Sequence, residues 1–175
     1  AFNPNKVQYV DVTGDGADDL IFHGDDNRFW LSKSNGTNFD NPTHAATHGG
    51  PTNFASVQYA DVDGDSKDDL IYHGIDNRFW ISKSNGTTFG GAYFANQHGG
   101  VFDTTKVQYA DIDGDGKDDM FYQGDDNRIW VAKSNGTKFV NNTLAASVTH
   151  DDFDTDQVSF FDMNGDDKAD MVYQG

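Results

Sequence analysis

Segments of nine residues, rich in aspartate and glycine, occur four times in this 175-residue chain. The third copy reads DIDGDGKDD (111–119), and the others read DVTGDGADD (11–19), DVDGDSKDD (61–69) and DMNGDDKAD (162–170). Oxygen-bearing side chains occupy positions 1, 3, 5 and 9 of every copy. Such side chains, with a backbone carbonyl at position 7, can approach the roughly six to eight oxygen ligands that Ca²⁺ prefers. The sequence therefore predicts one calcium site in each segment, and we name the segments loops 1 to 4.

The predicted ligands are the side chains at positions 1, 3, 5 and 9 and the carbonyl at position 7. They are Asp11, Thr13, Asp15, Ala17 and Asp19 in loop 1, Asp61, Asp63, Asp65, Lys67 and Asp69 in loop 2, Asp111, Asp113, Asp115, Lys117 and Asp119 in loop 3, and Asp162, Asn164, Asp166, Lys168 and Asp170 in loop 4. Loops 1 and 4 are expected to bind more weakly, because Thr13 and Asn164 each replace a carboxylate with a neutral ligand. A glycine at position 4 of each loop allows the sharp turn that this arrangement needs.

Two other interpretations of these segments are possible. A hairpin turn without a metal is one, since aspartate and glycine are both common in turns. It is disfavoured because crowding three or four carboxylates together without a cation is costly. An EF-hand is the other, and it requires a closing glutamate between two helices. This chain contains no glutamate, and the residues flanking each loop are strand-like.

The composition excludes several classes of partner. The formal net charge is −17, and all 29 acidic residues are aspartate, most of them within the four loops. Nucleic acids and anionic membrane surfaces are bound by clustered lysine and arginine, so neither is expected here. No apolar stretch is long enough for membrane insertion. The chain has no cysteine, which leaves no disulfide framework and no thiolate zinc site.

The loops belong to a repeat of about 50 residues, the range of period that is typical of solenoids, propellers and arrays. Its most regular markers are Trp30, Trp80 and Trp130, each 50 residues after the last. In the third repeat we predict strands at 107–110, 119–123 and 128–134, then an Asn-Gly hairpin turn and a fourth strand from residue 137. No helical periodicity occurs. Four antiparallel strands in each repeat predict an all-β fold built from β-propeller blades.

The repeats divide the chain into blade 1 (1–56), blade 2 (57–106), blade 3 (107–157) and the first half of blade 4 (158–175). Closed propellers contain about four to eight blades. Three and a half blades are therefore expected to be a fragment of a closed propeller or a building block for one. Because an unpaired sheet edge invites pairing with another chain, we expect self-association or the remainder of a longer chain to close the propeller.

A second group of residues could bind a ligand at the opposite face of the blades from the calcium loops. Its members are Asn27, Arg28, Trp30 and His48, then Asn77, Arg78, Trp80 and His98, then Asn127, Arg128 and Trp130. An aromatic ring that can stack, beside amide, guanidinium and imidazole groups that can read hydroxyls, suits a sugar. The alternatives are packing of the tryptophans between blades and a structural turn or ion pair at each arginine.

The motif D-x-[DNT]-G-D-x-x-x-D-[LM], followed by an apolar strand, a glycine, a second hairpin and N-G-T-x-F, resembles FG-GAP/VCBS repeats. Those repeats form the calcium-binding blades of integrin α-like β-propellers, and the resemblance covers essentially the whole chain. The near-identical blades, the N-G-T-x-F segments and the Gly-Gly pairs before the first strands also resemble propeller lectins of the Psathyrella velutina type. This second resemblance implies a sugar-binding propeller, with N-acetylglucosamine-type ligands.

These observations predict a multivalent, calcium-stabilised carbohydrate-binding module that holds up to four Ca²⁺ and binds glycans. The alternative is a structural or adhesion propeller domain of a larger secreted or surface protein, with a protein as its partner. An enzyme is not expected, because no paired acid and base stand apart from the loops and no nucleophile motif occurs. Short loops fill best where calcium is millimolar, which predicts an extracellular location.

Overall fold

The computed structural model describes residues 7–24, 27–47, 57–74, 78–97, 106–124, 128–147 and 157–173. Within these ranges the regular structure consists of β-strands, without an α-helix. The strands are β1 (Val7–Val10), β2 (Asp19–His23), β3 (Arg28–Ser32), β4 (Thr43–Thr47), β5 (Gln58–Ala60), β6 (Asp69–His73), β7 (Arg78–Ser82), β8 (Tyr93–Gln97), β9 (Gln108–Ala110), β10 (Asp119–Gln123), β11 (Arg128–Ser134), β12 (Phe139–Ser147), β13 (Val158–Phe161) and β14 (Asp170–Tyr173). No helix in the described ranges is long and apolar enough to cross a bilayer.

The strands form antiparallel sheets in which neighbours in sequence are neighbours in space. The orders are β1-β2-β3-β4, β5-β6-β7-β8 and β9-β10-β11-β12, and β13 pairs with β14. Each four-stranded sheet is therefore an up-and-down meander. This confirms the predicted all-β class and the propeller-like blade of four antiparallel strands.

The chain divides into two compact units. The first comprises Ala1–Asp61, Asp65–Ile75 and Trp80–Tyr93, and the second comprises Val62–Gly64, Asp76–Phe79 and Phe94–Gly175. In the first unit, buried side chains from β2, β3 and β4 pack with side chains from β6 and with Phe89, which is 7% exposed. In the second, Phe121 packs edge-on against Phe160 with ring centroids 4.8 Å apart. Aromatic and aliphatic burial of this kind is the main stabilising contribution to such small sheets.

The burial patterns of individual strands agree with their composition. Every residue of β6 is buried, and its sequence DLIYH is correspondingly apolar between its two ends. In β3 and β7 the first residue, an arginine, is exposed and the phenylalanine after it is buried. Side chains of a strand alternate between its faces, so this pattern directs one face to the core.

The fourth strand differs among the repeats, although the sequence predicts it soon after each Asn-Gly turn. In the third repeat β12 runs without interruption from Phe139. In the first two, an isolated bridge joins Ser34 to Phe39 or Ser84 to Phe89, and the strand resumes at β4 or β8. The interrupting residues are Asn41-Pro42 in the first repeat and Gly90-Gly91 in the second. Proline cannot donate to a ladder and glycine weakens a strand, which accounts for both gaps.

Candidate metal sites

The first aspartate of each loop closes the turn around its own carboxylate. In loop 3, Oδ1 of Asp111 accepts hydrogen bonds from the backbone N–H groups of Gly114 (2.8 Å) and Asp115 (3.1 Å). Its Oδ2 accepts from the N–H of Gly116 at 2.8 Å. The same three bonds recur in loop 1 and in loop 4. The residue predicted to be the first ligand therefore also organises the loop backbone.

Two positions in each loop adopt the left-handed backbone conformation. Position 4 is always glycine, with φ between 74° and 78°. Position 6 is glycine in loops 1 and 3, but it is Ser66 (φ 66°) in loop 2 and Asp167 (φ 63°) in loop 4. The sequence pattern predicted a turn only at the first of these positions. The Gly-Asp-Gly triplets of loops 1 and 3 were a usable signal for the second, because glycine favours positive φ.

The loop geometry brings carboxylates together at the predicted positions. One carboxylate oxygen from each of Asp111, Asp113 and Asp115 lies within 4.8 Å of the others, and the loop 2 residues Asp61, Asp63 and Asp65 form the same group. These are positions 1, 3 and 5. Oxygens this close can share one hard cation at Ca²⁺ distances of about 2.3–2.6 Å.

Loop 3 also contains buried carboxylate oxygens that the fold leaves without a hydrogen bond. Asp119 is 1% exposed, and its Oδ1 accepts the N–H of Ser134 at 2.8 Å. Among the described residues, its Oδ2 and Oδ1 of Asp113 are buried and have no hydrogen-bond partner. A buried, unpaired carboxylate oxygen is costly. The donor set is all oxygen, which suits Ca²⁺ and fits the predicted ligands at positions 3 and 9.

Lysines neutralise part of this negative charge. Lys117 Nζ lies 2.9 Å from Asp115 Oδ2, and Lys133 Nζ bonds Asp113 Oδ2. The bond from Lys133 holds the pKa of Asp113 below its usual range. Burial raises the pKa of Asp119 to about 6, and the nearby charges of Asp113 and Asp115 add to that rise. The anionic form of Asp119 is therefore destabilised, and a bound divalent cation would stabilise it.

The neutral ligands of loops 1 and 4 also face the carboxylates. Thr13 Oγ1 lies 3.5 Å from Asp11 Oδ1, and Asn164 Nδ2 donates to Asp170 Oδ2 at 3.3 Å. The backbone N–H of each position-7 residue donates to the aspartate at position 5 of its loop. Coordination by the position-7 carbonyls, and weaker binding by loops 1 and 4, both stay predictions.

The structure describes only part of the predicted sugar-binding group. Asn77, Asn127, His48 and His98 lie outside the described residues. Asn27 is described and adopts φ 61°, which places it in a tight turn before β3. Arg28, Arg78 and Arg128 each begin the third strand of a repeat, with exposed side chains.

Two tryptophans of this group, Trp30 and Trp80, make packing contacts. Trp30 stacks on Phe22, with centroids 6.3 Å apart and planes 11° from parallel, and meets His44 edge-on at 5.9 Å. Trp80 is partly buried and packs against the core of the first unit. The guanidinium of Arg78 lies 5.9 Å from the ring centroid of Phe94. A sugar site at these residues stays a prediction.

The chain matches the model of a known repeat family. The model of the FG-GAP-like repeat matches residues 11–72, 61–122 and 111–173, and the chain therefore belongs to the FG-GAP-like repeat family. The matches overlap, and each runs from one of loops 1 to 3 to the second strand of the following repeat. No curated protein matches the sequence.

Among solved structures, the chain is similar to part of the Tc holotoxin pore of Photorhabdus luminescens. The TM-score is 0.70 at 20% identity, over 97% of this chain and 8% of that chain. It is also similar to TcdB2-TccC3 and to TcdB2-TccC3-Cdc42, each with a TM-score of 0.63 and 26% identity, over 78% of this chain and 7% of that chain. The chain thus spans less than a tenth of the length of these relatives.

Asp119→Asn is expected to change stability with opposite signs in the two calcium states. Without calcium, asparagine should raise the unfolding midpoint, because it removes a buried charge while its oxygen can still accept from Ser134. With calcium, it should lower the midpoint, because loop 3 loses its closing carboxylate. Thermal unfolding at pH 7, with calcium and with chelator, measures both effects. Asp18→Asn, at the exposed position 8 of loop 1 and outside the ligand set, is the control. A change of the same sign in both buffers for Asp119→Asn would contradict the ligand role of Asp119.

Proposed function

We propose that this chain is a calcium-stabilised structural propeller module, non-catalytic, within a larger extracellular protein. The observation that carries the calcium part is the group of carboxylate oxygens from Asp111, Asp113 and Asp115, which lie within 4.8 Å of one another. Buried oxygens of Asp113 and Asp119, without a hydrogen-bond partner among the described residues, add to it. Up to four Ca²⁺ would bind, one in each loop. Sites built from nine residues fill best at millimolar calcium, which supports a location outside the cell or on its surface.

An aromatic pair that is exposed in one repeat and covered in the others supports a binding surface for a partner. Tyr9 and Phe39, 59% and 45% exposed, have ring centroids 6.1 Å apart. The equivalent phenylalanines, Phe89 and Phe139, are only 7% and 2% exposed. Phe89 is covered by the preceding repeat, and its N–H donates to Ala45 O at 2.9 Å. The exposed pair is therefore equivalent in position to a surface that is covered in the other repeats.

We propose that the partner at this surface is another FG-GAP-like repeat, in a second copy or elsewhere in a longer protein. An exposed apolar patch of this kind marks an interaction site. The similarity to Tc toxin chains supports a structural role within a large assembly, since the matching region is a small part of each of those chains.

The carbohydrate-binding alternative has less support from the described residues. The aromatic rings that would stack on a sugar, Trp30 and Trp80, make packing contacts instead. Glycan binding at the Asn-Arg-Trp face therefore stays a prediction, which a glycan array with calcium present would test.

Self-association of this chain tests the proposed interface, because a second copy can supply the repeat that covers Tyr9 and Phe39. Sedimentation velocity over a concentration series, with calcium, is expected to show association of the unmodified chain. Tyr9→Ser combined with Phe39→Ser should abolish it. The control is Leu144→Ser, which removes a similarly exposed apolar side chain (48%) from β12. A double variant that associates like the unmodified chain would contradict the proposed interface. A chain that stays monomeric throughout would exclude a second copy as the covering repeat.

A further inference from the structure

Ser84 lies at the hairpin turn after β7 and makes hydrogen bonds to two different calcium loops. Its backbone N–H donates to Oδ1 of Asp69, the closing aspartate of loop 2, at 2.8 Å. Its hydroxyl donates to the carbonyl of Val12, at position 2 of loop 1, also at 2.8 Å. The same hydroxyl accepts the N–H of Gly86 at 3.0 Å, which holds it in the turn. Ser84 is 7% exposed, so water competes weakly for these bonds.

The peptide unit that Ser84 holds in loop 1 is tied at its other end to a predicted ligand. The N–H of Thr13, which belongs to the same peptide as the Val12 carbonyl, donates to Oδ2 of Asp19 at 3.1 Å. A path of hydrogen bonds therefore runs from Asp69 through Ser84 to this peptide and on to Asp19. It connects the closing carboxylate of loop 2 to the closing carboxylate of loop 1. Both ends of the path lie in the first compact unit.

A second contact joins the same two loops through their backbones. The N–H of Asp68 donates to the carbonyl of Asp11 at 2.8 Å, and the N–H of Asp11 donates to Oδ2 of Asp68 at 2.9 Å. Gly14 leaves so little space that a Cβ there would lie 2.9 Å from the carbonyl oxygen of Ser66. The backbones of loops 1 and 2 are thus in direct contact. Because they are closely packed, a change of conformation in one loop requires an adjustment in the other.

The arrangement recurs in the second unit. The N–H of Ser134 donates to Oδ1 of Asp119 at 2.8 Å, and its hydroxyl donates to the carbonyl of Val62 at 2.6 Å. Val62 is position 2 of loop 2, as Val12 is of loop 1. Two serines at equivalent positions therefore make the same inter-loop bond, each across 72 residues of sequence.

We propose that Ser84 and Ser134 are positioning residues that couple calcium binding between successive loops. The proposal rests on the calcium binding proposed above. When a cation fixes the position of Asp69, it also restricts Ser84 and, through Ser84, the Val12–Thr13 peptide of loop 1. Loop 1 then loses less freedom when it binds its own cation. Binding at either loop raises the affinity of the other, because coupling between two binding sites is reciprocal.

The first repeat supplies a matched control. Ser34 occupies the equivalent hairpin position, and its N–H donates to Oδ1 of Asp19 at 2.8 Å. Its hydroxyl accepts the N–H of Gly36 at 3.2 Å, and within the described residues it reaches no other calcium loop. Ser34→Ala therefore removes the same hydroxyl from the same kind of turn without removing an inter-loop bond.

The test measures calcium affinity loop by loop in the calcium-stripped chain. Backbone amide NMR signals report each loop separately, with Gly16 for loop 1 and Ser66 for loop 2. Asp69→Asn disables loop 2 while its amide oxygen can still accept from Ser84. The titration is made on the unmodified chain, Asp69→Asn, Ser84→Ala and the double variant. Ser34→Ala and Ser84→Thr, which keeps a hydroxyl, complete the set.

Asp69→Asn is expected to weaken calcium binding at loop 1 by about fivefold or more, the lower end of usual coupling. Ser84→Ala should weaken loop 1 similarly, and adding Asp69→Asn should then have no further effect there. Ser84→Thr and Ser34→Ala should each keep the coupling. If Ser84→Ala does not fold, Ser134→Ala with Asp119→Asn tests the same coupling, read from the Ser66 signal of loop 2.

Two results would overturn the coupling. One is a loop 1 affinity that Asp69→Asn leaves unchanged within twofold. The other is an equal loss on Asp69→Asn with and without the Ser84 hydroxyl, which would show that the coupling bypasses Ser84. If neither signal in the unmodified chain responds to calcium, the proposed calcium binding itself is wrong. That outcome is distinct from either result above.

Discussion

Removing calcium is expected to lower the unfolding temperature by about 5–10 °C for each site that is emptied. A ligand present at about 100 times its dissociation constant stabilises the folded state by about 2.7 kcal/mol. For a chain of this size, one kcal/mol corresponds to about 2–4 °C. The physical source is the relief of repulsion among carboxylates such as Asp113, Asp115 and Asp119, which lowers the free energy of the folded state alone. Differential scanning calorimetry in calcium and in EDTA measures the shift.

Two controls make this measurement specific. Adding back calcium should restore the unfolding temperature, which separates metal loss from irreversible damage. Magnesium should restore it poorly, because Mg²⁺ demands near-ideal octahedral geometry and gives up its water reluctantly. An unfolding temperature that is the same in calcium and in EDTA would show that the loops bind no stabilising cation.

Phe121→Ala is expected to destabilise the second unit by about 3–5 kcal/mol, the usual cost of truncating a buried aromatic residue. Phe121 is 1% exposed, and its ring meets Phe160 edge-on at 4.8 Å. Truncation leaves a cavity between the third repeat and β13, and it removes the aromatic contact as well. The midpoint of urea unfolding, with calcium in excess, measures the loss.

Phe161→Ala is the matched control for this substitution. Phe161 is 48% exposed, so its truncation removes less buried surface and should cost much less than that of Phe121. The two variants must be compared at low protein concentration, so that association does not contribute. Equal losses for both would mean that Phe121 is not part of a packed core.

The sequence by itself determined the repeat, the strand pattern and the clustering of aspartates in the loops. The strands predicted at 119–123 and 128–134 have the bounds observed for β10 and β11. The carboxylates at positions 1, 3 and 5 come together in loops 2 and 3 as their spacing predicts. The glycine at position 4 adopts the positive φ that the predicted turn needs. These features depend on residues a few positions apart, whose geometry the local backbone controls. Each match to the FG-GAP-like repeat model contains two of these loops.

Only the tertiary structure decided which loops contact each other and which residues are buried. The hydroxyls of Ser84 and Ser134 reach carbonyls 72 residues away, while the hydroxyl of Ser34, in the same local motif, bonds only within its own turn among the described residues. Phe39 and Phe89 likewise occupy equivalent sequence positions, but one is exposed and the other buried. Near-identical repeats carry near-identical local information. Their differences in burial and bonding arise because each has a different neighbour, and a neighbour in space is a property of the folded chain.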